Sequence, residues 1–329
     1  MLTLHHAPEN VYVCDLVEGK KRTPVFWHPK INADMRNAVD NLEFFNTDYN
    51  RDRFELSKDQ ASDIFAKLGQ NETLENNQSK FFKVKRFVTE SLESEMDLAG
   101  TAGKFEINFP PGDKFEGHTL ICGGTNSGKT WSAVDRILRN LKGPKKDRRN
   151  FLIFSAEYHN DRTLQPLKHE RFRDNVLGVD CSETTVKDSQ WDGPEQFFEN
   201  EIMFMVNGAP PGSVILFDDA MDTPFPTQMR TLINRMLRVG RHQGLNIMVI
   251  LHSLRSATWS SQAHQSAKYL YLFPRSSKGK IISYLNRDLG IPLAKARDHV
   301  RAFSQSGRVM VVRLHAPELL LGDQLCRLI

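Results

Sequence analysis

The sequence predicts an α/β fold in which a mostly parallel β-sheet is flanked by helices and preceded by an accessory segment. From about residue 101, short apolar runs alternate with helical stretches, which is typical of strands joined by crossover helices. A glycine-rich segment at 123–130 lies between one such run and a helical stretch. Another run, at 213–219, ends in two adjacent carboxylates. These observations predict the fold class and place the candidate chemistry at the junctions after strands.

The predicted accessory segment covers residues 1–100, and the predicted main domain covers residues 101–329. Ser57, followed three residues later by Gln60, is typical of a capping box and predicts a helix that continues toward Gly69. A second helix is predicted over about 81–98. No motif in this segment indicates a chemical role.

The composition is that of a globular protein, with 40% hydrophobic and 26% charged residues in 329. No apolar stretch approaches the roughly 20 residues that cross a bilayer, so we expect no membrane partner. No secretory signal is visible at the start. The four cysteines are far apart, which argues against a zinc knuckle or a disulfide framework and favours a reducing, cytoplasmic setting. A net charge of +4 permits a nucleic-acid partner without requiring one.

Seven apolar runs are the predicted strands of the main domain. They are His118–Cys122, Phe151–Phe154, Val176–Val179, Val214–Phe217, Ile247–Leu251, Tyr269–Phe273 and Val309–Leu314. Helices are predicted between most of them, including one over 131–141 and one over 226–244. Apolar residues recur at helical spacing in the second, and Gly244 is a natural C-terminal stop.

The glycine-rich segment matches the phosphate-loop pattern G-x-x-x-x-G-K-[ST] in full. Its residues are Gly123, Gly124, Thr125, Asn126, Ser127, Gly128, Lys129 and Thr130. Such a loop turns successive backbone N–H groups toward a phosphate, and the dipole of the following helix favours the same anion. We expect Lys129 to bridge the β- and γ-phosphates of ATP and the Thr130 hydroxyl to bind Mg²⁺. The alternative is a glycine-rich turn that happens to carry a lysine.

The run at 213–217 is followed by Asp218 and Asp219. Adjacent carboxylates in a buried setting are unfavourable unless a cation or a proton relieves their repulsion. We therefore expect Asp218 to hold Mg²⁺ through a water, and Asp219 to orient or deprotonate the water that attacks the γ-phosphate. The alternative is that both simply begin a loop. Two predicted strands lie between Lys129 and Asp218, an arrangement that resembles the RecA-like branch of P-loop ATPases rather than a compact nucleotide kinase.

The strand at 247–251 leads directly into His252. Ligands of parallel α/β sheets bind beyond the carboxyl ends of the strands, so His252 should lie beside the phosphate loop and Asp218. We expect its ring to sense the γ-phosphate by hydrogen bonding, the alternative being a loop histidine with a structural partner. The arginines of the 226–244 helix either line a solvated face or include one that reaches a neighbouring subunit's γ-phosphate.

The segment Arg241-His242-Gln243-Gly244, a strand and then His252 resemble the FtsK/HerA superfamily of DNA-pumping ATPases. In that superfamily an arginine precedes a glycine, and the next strand ends in a polar sensor, usually glutamine, where this chain has His252. The acidic pair and the tail from Gly307 to Pro317 look most like the viral genome-packaging branch. The resemblance covers roughly residues 105–320.

That resemblance implies a RecA-like core assembled as a ring of five or six copies around double-stranded DNA. ATP would bind between subunits, with Arg241 as the first candidate for the arginine that reaches the neighbour's nucleotide. Arg238, Arg255 and Arg275 are the reserves. It also implies capsid proteins as possible partners and a location in the host cytoplasm or the virion.

Two basic runs could bind DNA phosphates without reading bases, which suits a motor that moves along any sequence. The denser run comprises Arg136, Arg139, Lys142, Lys145, Lys146, Arg148 and Arg149, and the other comprises Lys80, Lys83, Lys85 and Arg86. For the denser run the alternative is a solvated helix end and loop.

The leading hypothesis is an ATPase that translocates double-stranded DNA without sequence preference, as a viral genome-packaging motor. One alternative is a nucleoside-type kinase, although the CxxC pair expected of such kinases is absent. Another is a nucleotide-regulated DNA-binding or capsid-associated module that does not hydrolyse ATP. Asp219 argues against that module, because a simple switch needs no acid to orient water.

Overall fold

A computed structural model describes residues 2–3, 11–19, 21–27, 57, 60, 97–99, 104–107, 109, 115–254, 266–315, 318–323 and 325–328. The chain divides into two compact units. One comprises Met1–Phe105 with Leu325–Leu328, and the other comprises Glu106–Gln324 with Ile329. The sequence does not indicate that a C-terminal strand joins the first unit, and the proposed boundary at residue 100 stays a prediction.

The strands in chain order are β1 (Leu2–Thr3), β2 (Val11–Glu18), β3 (Lys21–Trp27), β4 (Asp97–Ala99), β5 (Lys104–Glu106), β6 (His118–Cys122), β7 (Phe151–Ser155), β8 (Val176–Asp180), β9 (Val214–Asp218), β10 (Asn246–Leu251), β11 (Ala267–Leu272), β12 (Met310–Arg313), β13 (Leu319–Leu321) and β14 (Leu325–Leu328). The α-helices are α1 (Lys129–Leu141), α2 (Glu183–Lys187), α3 (Gly193–Phe197), α4 (Phe204–Gly208), α5 (Pro226–Val239), α6 (Pro274–Arg287) and α7 (Leu293–Ser306). A π-helical turn, Phe198–Met203, joins α3 to α4.

The sheet of the larger unit has the strand order β13-β12-β11-β6-β10-β9-β7-β8. The six strands from β11 to β8 are parallel, and β12 and β13 run antiparallel to their neighbours. All seven predicted apolar runs form strands of this sheet. The prediction of an α/β, RecA-like core with a mostly parallel sheet flanked by helices is therefore confirmed.

The register brings the ends of the parallel strands to one side of the sheet. Leu272 pairs with Cys122, which pairs with Leu251, and Ser155 pairs with both Asp218 and Asp180. We call this side the carboxyl end of the sheet and the opposite side its amino end. Because each junction after these strands lies at the carboxyl end, residues far apart in sequence meet there.

The core lies between the sheet and its helices. Strands β6, β7, β9 and β10 are buried at every position, as expected where helices cover both faces of a parallel sheet. Helix α1 buries an apolar stripe that consists of Ala133, Val134, Ile137, Leu138 and Leu141. Helix α5 ends at Val239, and a 3₁₀ turn over Gly240–Gln243 leads to Gly244, which has a left-handed φ of +70°. Gly244 therefore ends the helical run as predicted, but the prediction of one helix over 226–244 is wrong after Val239, where the 3₁₀ turn begins.

The smaller unit contains a sheet of order β1-β3-β2-β5, in which β2 and β3 form an antiparallel hairpin. Ser57 and Gln60 make the reciprocal capping bonds, 3.1 and 3.2 Å long, and the remainder of that predicted helix lies outside the described residues. The end of the helix predicted over 81–98 is wrong, because Asp97–Ala99 pairs as a strand with Leu325–Arg327 of β14. The rest of that prediction also lies outside the described residues. In the described part of the chain, no helix is both long and apolar enough to cross a bilayer.

Candidate functional site

The predicted phosphate loop joins β6 to α1 at the carboxyl end of the sheet. The backbone N–H of Gly123 donates to the carbonyl of Leu251 at 3.1 Å, which ties the start of the loop to β10. A Cβ at Gly123 would lie 2.7 Å from the ring of Phe273, so a larger residue would displace that ring. Gly128 has a φ of +100°, a conformation that favours glycine. Glycine is therefore required at Gly123 because the Phe273 ring lies close, and is favoured at Gly128 because of its backbone conformation.

A positive charge and unpaired donors face the inside of this loop. Lys129 is buried, and its ammonium donates to the carbonyl of Gly124 across the loop at 3.0 Å. The hydroxyl of Ser127 is buried without a hydrogen-bond partner. No side chain caps the amino end of α1, so its first N–H groups remain available to an anion. The loop therefore has the chemistry of an anion site.

The acidic strand end meets this loop directly. Asp218 is 1% exposed, and the hydroxyl of Thr130 donates to its Oδ1 at 3.3 Å. Burial, and then the neighbouring Asp219 and Asp161, raise the pKa of Asp218 to about 7, against an opposing effect of the Thr130 hydrogen bond and of Lys129. A bound cation would relieve the cost of ionising this carboxylate.

Asp219 and His252 form a second pair beside the first. Nε2 of His252 lies 3.0 Å from Oδ1 of Asp219, and both side chains are about half exposed. Asp219 follows the last residue of β9 and has a φ of +46°, an uncommon value for a residue other than glycine. Asp222 adds a further ligand atom within 4.8 Å of the other two. The structure thus brings His252 to the carboxyl end of the sheet, as the strand pattern predicts.

Arg241 lies at the other side of the sheet. It belongs to the 3₁₀ turn before β10, and the preceding Gly240 sits beside His118 at the start of β6. The six residues of β10 span roughly 17 Å between this turn and the carboxyl end. Arg241 is exposed and too far from the phosphate loop of its own chain to contact a nucleotide there.

Two arginines of the denser basic run, Arg136 and Arg149, are buried and form hydrogen bonds inside the protein. Arg136 is 1% exposed, bonds to Glu116 at 3.2 Å and to Thr119 at 2.9 Å, and lies 4.1 Å from the centre of the Phe109 ring. The buried Arg149 donates to the carbonyl of Gly212 at 2.9 Å. Both interpretations of this run, contact with DNA and a solvated helix end, are therefore wrong for these two arginines, because partners distant in sequence bury them.

Other members of the denser basic run differ in their surroundings. Arg139 pairs with Glu106 at 3.1 Å and with Asp135 at 3.0 Å. Lys142, Lys145 and Lys146 are exposed, and for them contact with DNA stays a prediction. The second basic run and the reserve Arg255 lie outside the described residues.

Sequence reasoning missed two residues that lie against the loop. The ring of Phe273 lies over Gly123, and the guanidinium of Arg308 approaches Gly128. Arg308 precedes a strand, which would place it at the amino end of an entirely parallel sheet. Only the antiparallel direction of β12 brings it to the carboxyl end, and a list of apolar runs carries no strand direction.

No family model and no curated protein sequence matches the chain. Among solved structures, it is similar to the DNA-packaging ATPase B204 from Sulfolobus turreted icosahedral virus, with 15% identity, 66% of this chain and 100% of that chain covered, and a TM-score of 0.40. It is also similar to the cytoplasmic domain of the Thermomonospora curvata type VII secretion ATPase EccC, with 13% identity, coverage of 70% and 29%, and a TM-score of 0.38. A third match is the pCW3 conjugation coupling protein TcpA, with 12% identity, coverage of 70% and 66%, and a TM-score of 0.38.

Proposed function

We propose that the chain is an ATPase that uses ATP hydrolysis to move double-stranded DNA, as a viral genome-packaging motor. The observation that carries the ATPase part is the 3.3 Å contact between Thr130 and Asp218, which brings the phosphate loop onto the acidic strand end. A hydroxyl, a carboxylate and an ammonium held together at the amino end of a helix match the demands of a metal-bound triphosphate. The DNA part rests on the resemblance of the motifs around Arg241 and His252.

The chain's own groups supply the binding. The N–H groups of the loop and of the start of α1 would hold the phosphates, and Lys129 would exchange its bond to Gly124 for phosphate oxygens. Thr130 and Asp218 fit Mg²⁺, because a hydroxyl and a buried carboxylate 3.3 Å apart offer the oxygen ligands that this ion prefers. When bound, Mg²⁺ would neutralise charge on the β- and γ-phosphates.

Hydrolysis then needs an oriented water. We assign its proton to a carboxylate oxygen of Asp219, which is open to solvent while Asp218 is buried. His252 would hold the Asp219 carboxylate in position through the 3.0 Å contact. The water oxygen would form a bond to the γ-phosphorus while the bond between the γ-phosphorus and the bridging oxygen of the β-phosphate breaks. The products are ADP and inorganic phosphate.

The position of Arg241 supports a head-to-tail arrangement of subunits. An arginine at the amino end of the sheet cannot serve its own loop, but it can meet the carboxyl end of a neighbouring copy. In a closed ring of five or six copies, each Arg241 would then stabilise the phosphates bound by the next subunit. Duplex DNA and capsid proteins are the partners that this proposal implies.

The test compares Lys129→Ala with Lys187→Ala, a control at the exposed end of α2. We expect Lys129→Ala to abolish ATP turnover with an unchanged circular dichroism spectrum, and Lys187→Ala to keep it. Long duplex DNA should stimulate the wild-type rate, with a steep dependence on salt. Undiminished turnover in Lys129→Ala would contradict the assignment of the site.

Two further readouts separate the proposal from its alternatives. Transfer of phosphate to a nucleoside instead of water would favour the kinase. ATP binding without release of phosphate in a single turnover would favour the non-hydrolysing module. Native mass spectrometry then reports whether the chain assembles into a ring.

A further inference from the structure

We propose that Arg308 binds the terminal phosphates of the nucleotide held by the phosphate loop of its own chain. The inference rests on the proposed function and adds a residue to it. It assigns to Arg308 a role within one subunit, in contrast to the role of Arg241 between subunits.

The direction of β12 brings Arg308 to the nucleotide side. Met310, the first residue of β12, pairs antiparallel with Leu272, and Leu272 pairs with Cys122 at the end of β6. The segment just before β12 therefore lies level with the segment just after β6, which is the phosphate loop. Arg308 stands two residues before Met310, so the register alone places its backbone at the carboxyl end of the sheet.

The guanidinium reaches the loop itself. A Cβ built on Gly128 would lie 3.9 Å from both Cζ and Nη2 of Arg308. Gly128 immediately precedes Lys129, whose ammonium is folded over the same loop. The side chain of Arg308 thus places a second cation next to the residue that we expect to bridge the outer phosphates.

Arg308 is exposed, and among the described residues its guanidinium makes no hydrogen bond or ion pair. Arg275, on the same side of the sheet, is different because its Nε donates to the carbonyl of Ser304 at 3.0 Å and is held against α7. A guanidinium stays charged at all physiological pH values and offers five donors, which suit phosphate oxygens. A triphosphate bound in the loop would give this exposed guanidinium an anionic partner.

The experiment compares the affinities of Arg308→Gln and Arg308→Lys for ATP and ADP by isothermal titration calorimetry with Mg²⁺. The matched control is Arg301→Gln, an exposed arginine of α7 paired only loosely with Asp298 at 3.8 Å. We expect Arg308→Gln to weaken ATP binding by about tenfold or more and to weaken ADP binding less. Arg308→Lys should restore part of the ATP affinity, because it restores the charge without the fork of donors. Arg301→Gln should match the wild type.

Steady-state hydrolysis adds a readout that a purely structural role would not change. Loss of a contact made to the γ-phosphate in the transition state lowers kcat as well as raising KM. Wild-type ATP and ADP affinities and wild-type kcat in Arg308→Gln would overturn the inference, as would equal losses for ATP and ADP with kcat unchanged. If Lys129→Ala no longer binds or hydrolyses ATP while Arg308→Gln keeps wild-type affinity and turnover, the inference fails and the proposed function stands. If the wild type binds no ATP, both fail.

Discussion

The buried carboxylate of Asp218 lowers the free energy of unfolding of the nucleotide-free protein. The substitution Asp218→Asn should measure the size of this effect. The carboxylate is 1% exposed at the end of β9, and burial together with Asp219 raises its pKa from 3.8 to about 7. One pH unit of difference between the folded and unfolded pKa corresponds to about 1.4 kcal/mol. The ionised group thus costs the folded state up to about 4 kcal/mol. An asparagine keeps the acceptor for Thr130 but remains a buried polar group, so we expect a net gain of about 1–3 kcal/mol.

The pH dependence gives the sign. Below pH 3.8 the carboxyl is protonated in both states, and the cost is absent. Between pH 3.8 and about 7 the unfolded chain releases this proton while the folded chain keeps it, so the free energy of unfolding falls as the pH rises. Above about pH 7 both states are ionised and the cost is complete. The advantage of Asp218→Asn should therefore be small at pH 4.5 and largest at pH 8.

Urea denaturation of the nucleotide-free protein at these two pH values measures the effect. Asp188→Asn is the control, because Asp188 is an exposed carboxylate at the end of α2. Asp218→Asn should also lose Mg²⁺-dependent ATP hydrolysis, so the variant gains stability as it loses activity. A stability difference between Asp218→Asn and the wild type that is the same at both pH values would refute the reasoning.

Two more predictions concern stability. Gly178→Ala would drive a Cβ into the ring of Tyr158 and should lower the free energy of unfolding by about 1–3 kcal/mol in urea denaturation. Gly208→Ala is the control and should not lower it, because no described residue lies within 4 Å of the added Cβ. A separate prediction concerns His118, whose pKa is lowered by burial from 6.5 to about 4. Between these pH values the unfolded chain binds a proton at this histidine and the folded chain does not, so the free energy of unfolding falls as the pH falls. The protein should lose up to about 3 kcal/mol between pH 6.5 and 4 through His118, a loss that His118→Gln removes and that His242→Gln, at an exposed site, leaves in place.

The sequence predicts those parts of the fold that depend only on residues close together in the chain. The strand β9 is five apolar or acidic residues buried throughout, and the phosphate loop before α1 is a single eight-residue motif. Both can be recognised without knowledge of their neighbours. The contact between Thr130 and Asp218 then follows, because a parallel sheet brings the ends of its strands to one side.

The parts that the sequence does not predict depend on partners far away in the chain. Arg136 belongs to a basic run in the sequence, yet it is buried because Glu116 and the Phe109 ring surround its guanidinium. Asp97 ends a segment with helical character but pairs with Arg327, some 230 residues later, as part of a strand. Local propensity is outweighed in both places by tertiary contacts that no window of sequence contains.

If the proposed function holds, strand direction decides which nucleotide Arg241 and Arg308 contact. Arg241 and Arg308 each stand shortly before a strand, so a sequence pattern treats them alike. β10 runs parallel to β6 and leaves Arg241 at the amino end of the sheet, whereas β12 runs antiparallel to β11 and brings Arg308 to the carboxyl end. Under the proposed function, an arginine at the amino end would act only on a nucleotide held by another copy, whereas one at the carboxyl end would act on the nucleotide of its own chain. The reversal of a single strand would then separate a role between subunits from a role within one subunit.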